Sequence, residues 1–247
     1  MWGWVIPVSN QPPGLGFSEK GILGDKWENL VSNWNICYDV RMKMLSHSSA
    51  ERRYDRIARV FDSIELPMEK MAAKKWRKKL FSQLEGQEIL EVGVGTGKNL
   101  PYYPSGKSVI AIDISEQMLL RARKKAACLG LPFTLLKMDV QALQFPDHSF
   151  DATISTFVFC SVPDPGQGLQ ELRRILKPGG RAYFLEHVRP GGFRGKIFDL
   201  LSPLFVRITG ANINRDTLKN IEVASLRILV DINIFSDIFK FIIAERA

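Results

Sequence analysis

The chain has 247 residues and a mass of 28.0 kDa, enough for one α/β domain with additions and short of two full domains. Hydrophobic residues make up 45% and charged residues 24%, an ordinary balance that excludes disorder of the whole chain. The formal net charge of +8 is concentrated: residues 41 to 81 hold 12 Lys plus Arg against 5 Asp plus Glu, giving +7 and leaving +1 for the remainder.

That local positive charge faces either solvent or an anionic partner, and acidic lipid headgroups and nucleic acid are the two candidates. The most apolar stretch, Leu226 to Ile243, is interrupted by Arg227, Asp231, Asp237 and Lys240, so no membrane-spanning helix is expected. The first eight residues carry no basic residue ahead of their apolar run, and Pro7 interrupts it, so no export signal is expected either. Cysteines stand at 37, 128 and 160, an odd count whose wide spacing fits neither a disulfide framework nor a metal ligand set. A reducing, cytoplasmic setting and no bound metal are the resulting expectations.

In chain order, residues 1 to 50 mix Trp, Pro, Gly, Asn and Ser without a sustained period and read as a partly ordered N-terminal arm. From Tyr54 to Leu84 the pattern is helical, with Met68, Met71, Ala72, Trp76, Leu80 and Leu84 recurring at steps of three and four. Between Met68 and Leu84 this helix carries Lys70, Lys74, Lys75, Arg77, Lys78 and Lys79 away from its apolar stripe. Two readings stay open for it: a helix packed on a sheet with a solvated basic face, or a peripheral contact with an anionic inner membrane surface. In the second, each surface cation adds about 1 kcal/mol.

From Gln87 onward short apolar runs alternate with helical patterns. Strands are expected over 88–92, 108–113, 133–137, 150–155 and 181–186, and helices over 99–102, 115–129, 166–176 and 215–224. Strands joined by crossover helices pair in parallel. Ile228 to Phe235 and Ile238 to Ala244 read as a closing hairpin turning near Ser236 and Asp237.

The first strand runs into Glu91-Val-Gly93-Val-Gly95-Thr-Gly97, a turn whose glycines let the backbone bend sharply and approach a ligand. A P-loop would need Gly at position 92 and a hydroxyl at 99, where Val92 and Asn99 stand. A dinucleotide fingerprint has its third glycine one residue later, and a pyrophosphate would meet the charge of Glu91. A ligand whose end near the turn is cationic or zwitterionic suits Glu91 instead. Asp113 and Asp139, at successive strand ends, add acceptors; taken singly they read as a helix cap and a turn residue.

With Ile112-Asp113-Ile114-Ser-Glu-Gln-Met118, Met138-Asp139-Val140, Phe150-Asp-Ala-Thr-Ile-Ser-Thr156 and Leu176-Lys-Pro-Gly-Gly180 in order, the sequence from about Tyr54 to Ala247 resembles the class I S-adenosylmethionine-dependent methyltransferases. The resemblance implies a Rossmann-like α/β fold: a seven-stranded, mostly parallel sheet with an antiparallel last strand and helices on both faces. The methyltransferase domain would span 51–247 after the 1–50 arm. It implies S-adenosyl-L-methionine as cofactor and S-adenosyl-L-homocysteine as product, with Asp113 on the ribose hydroxyls, Asp139 on the adenine amino group and Val140 against the ring. The implied cofactor set is Tyr54, Glu91, Gly93, Gly95, Gly97, Asn99, Asp113, Ile114, Met118, Asp139, Val140, Thr156 and Phe157.

Methyl transfer from a sulfonium needs alignment of nucleophile and methyl at roughly 3 to 3.5 Å, and a base only where the nucleophile arrives protonated. His187, directly after the fifth strand, is the best-placed titratable group and competes with a plain packing role. Cys160 lines the acceptor pocket or is a small buried hydrophobe.

Finer resemblance, carried by Tyr54-Asp-Arg-Ile-Ala58, Phe159-Cys-Ser-Val162, Leu185-Glu-His-Val188 and Asn212-Ile-Asn-Arg-Asp-Thr217, is to bacterial phosphatidylethanolamine N-methyltransferases and animal microsomal thiol methyltransferases. Quinone C-methyltransferases share the Tyr54 opening, whose tyrosine lies over cofactor and acceptor. This gives His187 and Tyr54 as catalytic candidates, and Cys160, His187, Arg189, Asn214 and Arg215 as acceptor-binding candidates. The expected acceptor is amphipathic, a phospholipid amine ahead of a thiol or a quinone carbon. Nucleic acid methylation fits poorly, because Ser155-Thr-Phe-Val158 lacks the Asn/Asp-Pro-Pro-aromatic motif. A cofactor-binding scaffold without turnover is the remaining alternative. The apolar run Phe193 to Ile208 is expected to act as an acceptor lid shaping a pocket for an acyl chain or prenyl tail, with core packing of an ordinary connecting helix as the alternative.

Overall fold

A computed structural model describes residues 49–68, 73–130, 134–209 and 211–247, so the arm expected over 1–50 lies almost wholly outside the described residues. These residues belong to the second of two units, Met1–Leu45 and Ser46–Ala247. Six helices are described: α1 Ser49–Met68, α2 Lys74–Ser82, α3 Glu116–Leu129, α4 Pro165–Ile175, α5 Gly192–Thr209 and α6 Thr217–Val223, with a 3-10 turn at Leu100–Tyr102. Seven strands accompany them: β1 Glu88–Val92, β2 Ser108–Asp113, β3 Thr134–Lys137, β4 Phe150–Thr156, β5 Leu176–His187, β6 Leu226–Phe235 and β7 Phe239–Arg246.

They form one sheet in the order β3-β2-β1-β4-β5-β7-β6. The first five strands are mutually parallel, and β7 runs antiparallel to both β5 and β6. The chain leaves β1 toward β2 and β3, then returns to place β4 on the other side of β1. That reversal opens a crevice above the carboxyl ends of β1 and β4, where open α/β sheets take ligands. The central strands are continuous apolar runs because both faces are covered: Ile89, Leu90, Ile154, Tyr183 and Phe184 are fully buried.

Local chemistry fixes the helix ends. Ser115 caps α3 by accepting from the Met118 N–H, and Gly130 ends it in the left-handed region at φ +64°. Asp164 caps α4, with Pro165 in its first turn. The segment expected as one helix from Tyr54 to Leu84 is two. α1 ends at Met68, Lys70, Met71 and Ala72 lie outside the described residues, and α2 begins at Lys74. Leu80, Phe81 and Leu84 pack with Ile89, Ile154 and Tyr183 in the core, so this apolar stripe is covered by the sheet. β5 begins five residues before the expected position. The Lys177–Gly180 segment, which reads as a turn, is absorbed as an irregularity between the Phe150–Leu176 and Ala152–Arg181 pairs.

Candidate active site

A cavity of about 880 Å³, counting its open mouth, lies at the carboxyl ends of β1 to β4. Met138, Asp139 and Val140 line it from β3, Asp113 and Ile114 from β2, Gly93 to Thr96 from β1, and Thr156 to Val158 from β4. Tyr54 and Phe61 of α1, Arg77 of α2 and Met118 of α3 complete much of the wall. Neighbouring strands lie about 4.8 Å apart, so the crevice from β3 to β4 runs about 14 Å and suits an elongated ligand.

Asp113 is only 8% exposed, and its Oδ2 accepts from the Gly95 N–H at 2.8 Å and its Oδ1 from the Ser115 N–H at 2.9 Å. Burial pushes this carboxyl up to about 6, against the pull of those two donors. Asp139 Oδ1 accepts from the Gln141 N–H at 2.9 Å, and the Gln141 amide donates to both carboxylate oxygens at 3.1 Å. Gly95 has φ +55° and nothing within 4 Å of where a Cβ would stand, so its bare backbone faces open space. Gly97 has another task. A Cβ there would meet Leu100 Cδ1 at 2.6 Å and the Ala122 Cα at 3.2 Å, so it serves close packing of the turn on α3 and does not line the cavity.

Glu91 does not line the cavity either, which corrects the expectation of direct contact with a cationic ligand. It is fully buried, and burial raises its carboxyl to about 7. Its Oε2 accepts from the Tyr103 hydroxyl and its Oε1 from the Asn99 amide at 2.6 Å. Asn99, also behind the wall, donates to Thr156 Oγ1 at 2.9 Å and accepts from Arg77 Nη1 at 2.6 Å. Arg77 donates to Thr156 Oγ1 at 3.0 Å as well, and its guanidinium lies 5.6 Å from the centre of the Phe157 ring.

Arg77, expected with the lysines on the basic face that meets either solvent or an anionic surface, is 3% exposed and lines the cavity. The signal was present: positions 77, 80, 81 and 84 share one helical face, and Leu80, Phe81 and Leu84 are core residues.

The acceptor set is placed differently from expectation. Cys160 is buried behind the wall, and burial raises its thiol to about 12, so it stays a thiol. Its neighbour Ser161, not among the expected acceptor residues, does line the cavity and accepts from the Tyr54 hydroxyl at 2.6 Å. His187 is outside the wall: its ring stacks on Phe198 at 5.8 Å and meets Phe239 edge-on at 5.3 Å. Burial pushes His187 down to about 4, and its Nδ1 finds no hydrogen-bond partner, so it is neutral and packed where a proton acceptor was expected.

Arg189 pairs with Asp199 at 2.6 Å on the surface. Asn214 donates to the same carboxylate at 3.2 Å and accepts from Ser202, while Arg215 donates to the Val162 carbonyl at 2.8 Å. These three brace α5 and the loop after β4, and none lines the cavity.

Comparison with known proteins joins these observations. The methyltransferase-domain family matches residues 90–184. A phosphatidylethanolamine N-methyltransferase of Cereibacter sphaeroides is 40% identical over 104 residues, covering 41% of this chain and 51% of that protein. The thiol S-methyltransferase TMT1B of Rattus norvegicus is 34% identical over 168 residues, 63% of this chain and 68% of that protein. The chain belongs to the class I S-adenosylmethionine-dependent methyltransferases. A solved methyltransferase of this kind from Thermotoga maritima superposes with a TM-score of 0.61 over 79% of the chain and 99% of its own, at 20% identity. The match spans about half the length of the bacterial relative and about two thirds of the rat one.

The residues of this methyltransferase suit the cofactor. Gly95 leaves clear a space that a Cβ would fill, a buried carboxylate stands at the β2 end, and the crevice matches the reach of a nucleoside joined to an amino acid. Among the described residues no cluster of His, Cys, Asp or Glu is built to hold a metal.

Proposed function

We propose that this methyltransferase methylates the amine headgroup of a phospholipid, with phosphatidylethanolamine as acceptor, and that residues 51–247 form its catalytic domain. When bound, the cofactor supplies an electrophilic methyl on sulfur with a neutral thioether as leaving group. The protein's part is to hold that group, admit the acceptor and keep water out. Asp113 accepts from the ribose hydroxyls, Asp139 from the adenine amino group, and the Tyr54–Ser161 pair stands where the acceptor enters.

The observation that carries the lipid reading is α5. Phe193, Ile197, Leu200, Leu201, Leu204 and Phe205 are exposed on it, Leu200 at 79% and Phe193 at 76%. An apolar helix of this kind is adapted to a nonaqueous contact. It is tied to the cavity wall: Ser202 donates to Asn212 at 2.8 Å, and the Asn212 N–H donates to the Cys160 carbonyl at 2.7 Å, one residue from Ser161. Lys74, Lys75, Lys78 and Lys79 of α2 are exposed and add attraction to an anionic surface. Because the apolar stripe of α2 is buried, that attachment is electrostatic, with α5 as the part that enters lipid. No described helix is long and apolar enough to cross a membrane.

A thiol acceptor is the second reading, supported by the longer match to the rat thiol methyltransferase. Incubation with labelled cofactor and phosphatidylethanolamine vesicles, a small alkyl thiol or a quinol separates the two. Label in mono- and dimethylated phospholipid is the expected result, and label only in the thioether or the methylated quinol overturns it.

A further inference from the structure

The cavity wall beyond β4 is one short loop, in which Phe157, Val158, Ser161, Val162 and Pro163 all face the cavity. Phe157 is strained. Its φ is +60°, and of the four non-glycine residues with positive φ among the described residues it is the one that lines the cavity. A bulky side chain keeps such a conformation only where its neighbours over-determine it, and residues held in this way cluster at functional sites. Here the neighbours belong to β5. The Phe157 N–H donates to the Leu185 carbonyl at 2.8 Å, and the next two N–H groups, of Val158 and Phe159, converge on Glu186 Oε1 at 3.0 and 3.3 Å. Ser155 Oγ donates to the same oxygen at 2.7 Å, so a single atom gathers three donors from both sides of the strained residue.

Glu186 itself is fully buried behind the wall, and its Oε2 makes no hydrogen bond. A buried acid with an idle oxygen is a costly means of satisfying two amides, so its value lies in where it places them. From it a chain of contacts reaches the cavity. Glu186 holds the Val158 N–H, the Val158 carbonyl accepts from the Ser161 N–H at 2.8 Å, and Ser161 Oγ accepts from the Tyr54 hydroxyl at 2.6 Å.

We propose that Glu186 is a positioning residue for methyl transfer, which acts through Val158 to place the Ser161 hydroxyl that aligns the acceptor with the methyl. The assignment rests on the reading that the acceptor enters at the Tyr54–Ser161 pair, and adds what holds that pair in place. Misplacement by roughly 1 Å from a change remote from the chemistry can lower a rate about a hundredfold, so alignment is where such a residue is felt.

The test uses the full-length protein with phosphatidylethanolamine vesicles as acceptor, below the melting midpoint of every variant. Glu186→Ala is expected to lower kcat at least about tenfold, while the dissociation constant of S-adenosylhomocysteine by calorimetry stays within about threefold. Glu186→Gln keeps a carbonyl for Val158 and Phe159 and should retain kcat within about threefold. Ser161→Ala should lower kcat as well, and combining it with Glu186→Ala should cost no more than about twofold beyond the worse single variant, because both changes act on one contact. Unchanged kcat in folded Glu186→Ala, equal losses of kcat and cofactor affinity, a Gln variant as damaged as Ala, or fully multiplied losses in the combined variant overturn the assignment. Should Glu186→Ala fail to fold, Glu186→Asp, whose shorter side chain draws the oxygen away from Val158, takes its place. A fall in kcat of at least about threefold is then expected, and an unchanged kcat overturns the assignment. A wild type that leaves phosphatidylethanolamine unmethylated refutes the acceptor reading alone, and the same factors are then read with a small alkyl thiol.

Discussion

In the proposed function, Asp113 is the side chain through which the fold is coupled to ligand binding. Its two oxygens already hold the Gly95 and Ser115 N–H groups, which shape the glycine turn and the start of α3. In its proposed role it accepts from ribose hydroxyls as well, most strongly when ionised, and burial has lifted it to about 6. The sign follows: below about 6 the carboxyl carries a proton and loses acceptor strength, so affinity for S-adenosylhomocysteine falls as pH falls. Between pH 7 and pH 5 the ionised fraction drops about tenfold, and the dissociation constant should rise by about the same factor. Asp113→Asn should bind about 10- to 100-fold more weakly at pH 7, as expected for losing charged hydrogen bonds, and should show a flat profile over this window. Calorimetry at three pH values checks both, and a steep profile in the variant assigns the titration to another group.

The helices and strands differ in how far the sequence disclosed them. β1, β2 and β4 were legible because their apolar runs are buried on both faces and bounded by turn residues, and the places of Asp113, which ends β2, and Asp139, two residues past β3, followed from those strands. Arg77 was hidden by company: four lysines around it face solvent, and only its register with Leu80 and Leu84 marks it as inward. The packing of His187, left open beside a catalytic role, was not legible because its environment is made by Phe198, eleven residues on and in α5, a contact that no local pattern encodes.

α5 itself was legible as an apolar run, but its exposure was not, since a buried helix and a lipid-facing helix have the same composition. The proposal assigns that face to lipid. Leu200→Glu with Leu204→Glu should therefore lower methylation of phosphatidylethanolamine vesicles at least about tenfold. Affinity for S-adenosylhomocysteine should stay within about twofold, because neither residue lines the cavity. Undiminished turnover on vesicles removes α5 from the lipid contact.

The sheet carries its functional edge on buried acids, and this gives the protein as a whole an uncommon response to pH. Glu186 in β5 is fully buried; its Oε1 accepts from Ser155 Oγ at 2.7 Å, the Val158 N–H at 3.0 Å and the Phe159 N–H at 3.3 Å, while Oε2 has no partner. Burial raises it to about 7, as it does Glu91, and raises Asp113 to about 6. A carboxyl raised on folding binds more protons in the native state than in the unfolded chain between its two values. Its stabilising contribution is therefore present in full below the unfolded value of 4.5 and is lost as pH rises through about 7.

For Glu186 alone that loss is about 3 kcal/mol, and Glu91 and Asp113 act in the same direction. His187 acts oppositely: held down to about 4, it contributes stability above its unfolded value that is lost as pH falls. Thermal stability should consequently peak in mildly acidic solution and decline by several degrees between pH 6 and pH 8. Glu186→Gln keeps a carbonyl for Val158 and Phe159 and removes the titration, so its midpoint should fall less steeply over the same interval, whatever fixed cost the amide brings. Parallel slopes for the two proteins in scanning calorimetry overturn this assignment. A shallower slope in the variant shows instead that the acid pinning Val158, part of the cavity wall, is protonated in the stable form of the enzyme.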